Sequence, residues 1–292
     1  MNTKLVYVLV SRKDDYYYEM VMISLYSFRL YHPHASVEIV MDEDTYMRLK
    51  DENATILQDV KPVVVPIPQE YNVMQRSRYL KTNLREIVTG DFLYIDGDTI
   101  ICSSLDEIDQ IDADMGMVLD MHRLDSFVSE TVVELNKKAG MGYTGKRPYY
   151  NGGVALVKDT LKAHRIYDSW FRLWKKSVQN GVSKDQPALC QSNVDLGFPI
   201  TEISGVWNCQ INWEGRFRYL VRAKILHYYN VFEWGMMKTL LMKNVRRNGR
   251  ITVAAAILLH FPRLFFIIRY FRVKLVDSYY ILRETCRKIL RR

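Results

Sequence analysis

Two hydrophobic periods alternate along this chain. Short continuous apolar runs recur at Leu5–Val10, Val37–Met41, Asp91–Ile95 and Met115–Leu119, and again in Asn151–Val157 after a glycine-rich opening. Runs of that length and continuity suit strands covered on both faces. Between them the apolar residues fall at helical spacing. From about Asp15 the positions Met20, Ile23, Ser27 and Leu30 share one face, and His32-Pro33 ends the run. Ser77–Val88, Leu161–Gln179 (with Trp170 and Trp174 one turn apart) and Asp185–Ser192 also read as helices. Lys61–Ile67 reads as an edge strand because of its prolines, and Lys224–Tyr228 as the last strand. Strands alternating with helices predict an α/β domain with a mostly parallel central sheet.

The pattern changes near residues 235–245, which predicts a domain over 1–240 and a tail over 241–292. Charge sharpens the division. The last fifty residues, Lys243 to Arg292, hold 13 Lys and Arg against 2 acids, a net of +11. The preceding 242 hold 28 bases and 31 acids, a net of −3. Within the tail, Ile251–Ile268 is apolar but interrupted by His260, Pro262 and Arg263. Fully helical, it would measure about 27 Å, at the short end of a membrane span. An arginine at its centre adds roughly 3 kcal/mol to insertion. A broken helix lying in the interface is therefore expected, followed by a basic amphipathic stretch over Asp277–Arg292, the pattern of a peripheral anchor on an anionic membrane. The alternative is a helical pair packed on the body or on a partner. Nucleic-acid binding is disfavoured, because the acidic body would face the phosphates. Four scattered cysteines lack C-x-x-C spacing, and LVYVLV reads as a first strand rather than a signal peptide. These features predict a reducing, cytoplasmic setting with peripheral membrane association.

The richest chemistry lies in YIDGDTII (94–101), where a buried-type strand runs into Asp96-Gly97-Asp98. Ligands of open α/β sheets bind beyond the carboxyl ends of the strands. Two carboxylates there, spaced by a glycine, suit a divalent cation that carries phosphate oxygens.

Five further segments accompany it: VLVSRKDDYY (8–17), SRYLKT (77–82), YYNGGVALV (149–157), KDQPAL (184–189) and, at a distance, ILHYYN (225–230). In this order the set resembles the family 8 glycosyltransferases, retaining enzymes of the GT-A nucleotide-diphospho-sugar transferase fold, over roughly residues 4–230. The resemblance implies that Asp96, Asp98 and His227 hold the metal. Mixed carboxylate and imidazole ligation suits Mn²⁺ better than Mg²⁺. It also implies that Asp14 and Asp15 hold the uracil end of a UDP-sugar donor, with Tyr16 or Tyr17 stacking on the base. Arg78 and Lys81 would steady the donor phosphates. Asp120, Asn151, Gly152 and Gly153 would lie against the donor sugar. Asp185 would bind its hydroxyls, and Gln186 would sit beside the anomeric carbon. Each has a plainer reading: Asp185 as a helix N-cap, Arg78 and Lys81 as a solvated helix face.

One departure concerns the end of the pattern. The family closes on H-x-x-G-x-x-K-P-W, whereas His227 is followed by YYNVFEWGMMK, with Trp234 near its place and Lys224 or Lys238 as substitutes for the missing lysine. The implied activity is metal-dependent, retaining transfer of a hexose from a UDP-sugar to a glycan or lipid-linked acceptor at the membrane face. A sugar-nucleotide-binding scaffold of the same fold is the alternative.

Overall fold

The computed structural model describes residues 1–122, 129–143, 145, 148–211, 218–228, 235–260 and 262–263. In chain order the strands are β1 (Lys4–Leu9), β2 (Val37–Asp42), β3 (Lys61–Val65), β4 (Phe92–Ile95), β5 (Thr99–Ile101), β6 (Met115–Leu119), β7 (Tyr150–Val157), β8 (Thr201–Glu202), β9 (Cys209–Gln210) and β10 (Ile225–His227). The helices are α1 (Tyr17–Arg29), α2 (Glu43–Asp51), α3 (Ile56–Asp59), α4 (Val73–Thr82), α5 (Leu84–Ile87), α6 (Glu130–Lys138), α7 (Leu161–Gln179), α8 (Gln186–Asp195), α9 (Gly235–Asn248) and α10 (Val253–His260).

Among the described residues, seven strands form one sheet in the order β3-β2-β1-β4-β7-β6-β8, and β5-β10-β9 form a second, smaller one. The mostly parallel α/β sheet matches expectation, with the proline-bearing β3 at an edge. The buried runs explain the centre: β2, β4 and β7 carry no exposed residue and are covered on both sides. Leu5, Tyr7, Ile39 and Leu93 pack on α1 through Val21, Leu25 and Phe28. On the other face Val6, Phe92 and Ala155 pack under α7, whose Trp170 and Trp174 are buried.

The helix read over Ser77–Val88 differs from the structure at both ends. It starts at Val73, because Asn72 and Gln75 close a reciprocal capping box, and it breaks at Asn83 into α4 and α5. Helix α2 was not foreseen; Asp42 caps it by accepting the Thr45 N–H at 2.9 Å.

Strand β7 matters most for the site. It runs antiparallel to both β4 and β6, so its first residues meet their last ones: Val154 faces Ile95, and Tyr150 faces Leu119. An irregularity in the β6 pairing, where Met117 faces Ala155 but Val118 faces Asn151, leaves Gly152 and Gly153 out of that ladder. Gly153 O instead accepts the Asp96 N–H at 2.7 Å. The glycine-rich opening of β7 thereby lies against the aspartate-rich end of β4.

The boundary expected between residues 240 and 241 falls inside α9. Leu241, Met242, Val245 and Leu259 are buried with Met20, Ile23, Ile100, Leu226 and Tyr228, between α1 and the small sheet. Arg263 donates from Nε to the Ala223 carbonyl at 2.9 Å. This part of the apolar run therefore packs on the body rather than lying free, and Arg263 faces protein. No helix of the described residues is long and apolar enough to cross a membrane. Residues 264–292, with the rest of the expected anchor, lie outside the described residues.

Candidate active site

The site forms where β4, β6, β7 and α8 end or begin, with α4 along one side and β10 closing the other. Asp96 and Asp98 leave β4, and β10 brings His227 opposite them by pairing antiparallel with β5, His227 against Thr99. One donor atom from each of the three lies within 4.8 Å of the others. His227 Nε2 stands 3.2 Å from Asp98 Oδ1, with the ring 1 % exposed. Burial pushes the Asp98 carboxyl up, but a His227 protonated on both ring nitrogens, as it can be with no cation bound, outweighs this by its charge and hydrogen bond and holds the carboxyl below its ordinary value. Two carboxylates and an imidazole converging in this way fit a divalent cation.

Positive charge sits beside the carboxylates. Lys81, 3 % exposed, places Nζ 3.1 Å from Asp96 Oδ1 and 3.6 Å from Asp185 Oδ2. Arg78 Nε lies 3.0 Å from Asp185 Oδ1. Asp185 precedes α8, yet its side chain makes no capping bond; it turns to the two cations instead. The N-cap reading of Asp185 and the solvated-face reading of Lys81 are both set aside by this geometry. Tyr94 donates its hydroxyl to Asp96. Burial first, and the Asp96 charge second, push that phenol well up, so it stays a donor.

Asp120, Asn151 and Gln186 gather where β6, β7 and α8 meet. Asn151 donates from Nδ2 to Asp120 at 2.9 Å, and Gln186 donates from Nε2 to the Tyr150 carbonyl at 2.9 Å. Burial raises the Asp120 carboxyl, partly offset by hydrogen bonds from Asn151 and Gln186. Beside Asp96 and Asp98 opens a cavity of about 650 Å³, lined by Val8, Val10, Tyr17, Ser77, Arg78 and Gly97 among others. Tyr17 rather than Tyr16 lines it; the Tyr16 ring lies under the Arg246 guanidinium, 4.1 Å from its centroid. Asp15 is tied into its own turn, accepting from Ser11 Oγ at 2.8 Å and the Tyr17 N–H at 3.1 Å, and it faces a second cavity of about 390 Å³. Asp14 is exposed on the same loop. Lys224 is held by Glu107 at 2.9 Å and the Ser104 carbonyl at 3.2 Å, away from Asp96. Trp234 and the Lys238 side chain lie outside the described residues.

Neither a protein-family model nor a curated protein matches the sequence. Solved structures do. A galactosyltransferase, LgtC, in complex with donor and acceptor sugar analogs superposes with a TM-score of 0.56 at 15% identity, over 83% of this chain and 96% of that one. Mouse xyloside xylosyltransferase 1 superposes at 0.53 and 13% identity, over 79% and 98%. The glycosyltransferase GlyE of Streptococcus pneumoniae TIGR4 gives 0.52 and 14%, over 86% and 65%. The fold is GT-A.

Around this GT-A site the structure adds polar residues that the sequence did not single out, all on the short β9 or the turn after β6. Gln210 accepts the Met121 N–H at 2.8 Å through Oε1, donates to the Leu119 carbonyl at 2.9 Å, and gives its own N–H to His122 Nε2 at 2.8 Å. Met121 and His122 both have positive φ, 60° and 54°, a conformation held by these bonds. The turn that carries Asp120 is therefore clamped by Gln210.

Burial first, then the charges of Arg218 and His227, push His122 down to about 4. The folded chain keeps His122 neutral below the ordinary histidine range near 6.5, whereas the unfolded chain takes up a proton there. Stability is thus lost as pH falls from about 6.5 to 4, by up to roughly 3 kcal/mol. Urea unfolding at several pH values is expected to show this slope. His122→Gln, which keeps an acceptor for the Gln210 N–H, should flatten it; an equal slope in the variant would assign the loss to other groups.

Proposed function

We propose that the chain is a metal-dependent glycosyltransferase of the family 8 type, moving a hexose with retention from a UDP-sugar to a glycan or lipid-linked acceptor. The observation that carries this reading is the turning of Asp185 away from its helix to Arg78 and Lys81, against the Asp96–Gly152 edge. A mere cap would not be held there. The sugar transfers named for the galactosyltransferase and the xylosyltransferase, and the resemblance of the ordered motifs, support the same reaction class.

Asp96, Asp98 and His227 would hold the ion, Mn²⁺ fitting the mixed donor set better than Mg²⁺. When bound, it supplies Lewis-acid stabilisation of the pyrophosphate leaving group. Arg78 and Lys81 add fixed positive charge beside the same oxygens, which is worth most in a site shielded from water. Tyr17 and the cavity wall of Val8 and Val10 receive the base. Gly152 lets the chain pass close to Lys81 and Asp185, where a Cβ would already touch the ends of both side chains, and the donor sugar is assigned to those ends, with its hydroxyls on Asp185 and Asn151. Gln186 faces the anomeric carbon. The leaving phosphate itself takes the acceptor proton in the front-face displacement that the resemblance implies. Residues 264–292, with eight bases and two acids, are assigned to an anionic cytoplasmic membrane face, where the acceptor is held.

Incubation with a panel of UDP-sugars and Mn²⁺, read as UDP release, tests the reading. One donor should be hydrolysed slowly without acceptor; binding without turnover would favour the scaffold alternative. Gln186→Ala should lower kcat by about tenfold or more while donor affinity changes little, since its contact forms where charge develops. An unchanged kcat would leave Gln186 only its bond to the Tyr150 carbonyl.

A further inference from the structure

Buried side-chain amides connect the candidate metal histidine to Asp120, and their direction can be worked out from one backbone group. The Gly153 N–H, which can only donate, lies 2.9 Å from Asn151 Oδ1. That oxygen is therefore fixed as the acceptor end of Asn151. Asn208 approaches the same oxygen at 2.9 Å, so it must do so with Nδ2. Its Oδ1 is then the atom 3.0 Å from His227 Nδ1, and Nδ1 must carry a proton. The opposite end agrees, since Asn151 Nδ2 meets the Asp120 carboxylate, which accepts. Asn208 is fully buried and Asn151 is 5 % exposed, so water does not exchange freely for these partners.

We propose that Asn208 is a positioning residue: it holds the proton of His227 on Nδ1 and thereby presents Nε2, beside Asp98, as a metal ligand. This rests on the reading of Asp96, Asp98 and His227 as the metal site. Without the Asn208 carbonyl, a neutral His227 gains by moving its proton to Nε2 and donating to Asp98 Oδ1. That tautomer leaves no lone pair on Nε2, the nitrogen that faces Asp98, for a cation. Ligand histidines depend in general on such a bond from the other ring nitrogen.

The test uses the full chain labelled with ¹⁵N-histidine, the His227 signals being assigned by their absence in His227→Gln. Mn²⁺ binding is followed by the electron paramagnetic resonance of the free ion. In the wild type Nδ1 should be protonated. Asn208→Ala should move the proton to Nε2 and weaken Mn²⁺ binding by about 10- to 100-fold. Asn208→Asp keeps an acceptor for Nδ1 but loses the donor to Asn151. It should bind Mn²⁺ within a few-fold of wild type while melting at a lower temperature, so metal affinity and stability part company. Should Asn208→Ala fail to fold, the wild-type Nδ1 signal decides, with Asn208→Asp expected to keep that nitrogen protonated. An unprotonated Nδ1 in the wild type, wild-type Mn²⁺ affinity in Asn208→Ala, or equal loss in both variants would each overturn the proposal. If Nδ1 is protonated through Asn208 but the wild type binds no Mn²⁺, the metal reading falls and the positioning of His227 stands.

Discussion

Asp98→Ala is expected to lower sugar transfer by more than about a hundredfold, because the pyrophosphate charge that develops on departure loses its counter-charge. Chelator should do the same to the wild type, and Mn²⁺ should restore it. Asp98 is the cleaner of the two aspartates to change. Its side chain faces His227, which keeps its second bond to Asn208. Asp96 also accepts from Tyr94 and pairs with the buried Lys81. Its removal leaves a buried cation with the longer contact to Asp185 and the face of the Tyr94 ring, which adds a loss of stability of up to about 3–5 kcal/mol. Asp98→Ala should therefore separate activity from stability, with a melting temperature near that of wild type, whereas Asp96→Ala should lower both. Undiminished transfer in chelator would remove the metal role from Asp96, Asp98 and His227 together.

What the sequence revealed of this site follows from how local each signal is. Phe92–Ile95 ending in Asp96 is legible because continuous apolarity and a sudden charge pair share one short segment. The glycines of β7 are legible for the same reason. The direction of β7 is not, since strand-helix alternation predicts parallel pairing and nothing local in YYNGGVALV says otherwise. Yet that reversal is what brings Gly153 to Asp96. Asp185 before a helix reads equally as a cap or a ligand, and only the position of Arg78 and Lys81 separates the two. Asn208 precedes, and Gln210 ends, a strand of two residues, too short to show any period. The tail was ambiguous in a different way. Leu259 and its neighbours are as apolar for a lipid surface as for the face of α1 and the small sheet, and the structure uses part of them for the latter.

Gly153→Ala carries the other large expected effect, and the neighbouring Gly152→Ala is its control. A Cβ on Gly153 would fall 2.2 Å from His227 Cε1, 2.7 Å from its Nδ1 and 3.0 Å from Asn151 Oδ1. The imidazole cannot simply swing aside, because the ring is buried and bonded to Asn208. Either His227 leaves the Asp98 side of the site, or β7 shifts and strains the bond between Gly153 O and the Asp96 N–H. Both outcomes disperse the three metal donors. Overpacking of this kind lowers stability by about 1–3 kcal/mol, and metal affinity should fall with it by tenfold or more. A Cβ on Gly152 meets nothing nearer than Lys81 Nζ at 3.4 Å and Asp185 Oδ2 at 3.6 Å, the ends of side chains. That variant should fold and bind Mn²⁺ as the wild type does. Its methyl group instead presses on the ends of Lys81 and Asp185, which are assigned to the donor, so the KM for the UDP-sugar should rise. Melting temperatures, Mn²⁺ titrations and donor kinetics on the two variants check the contrast. Wild-type metal affinity in Gly153→Ala would show that His227 can serve without the close approach of this strand, and the site as assembled from β4, β7 and β10 would be wrong.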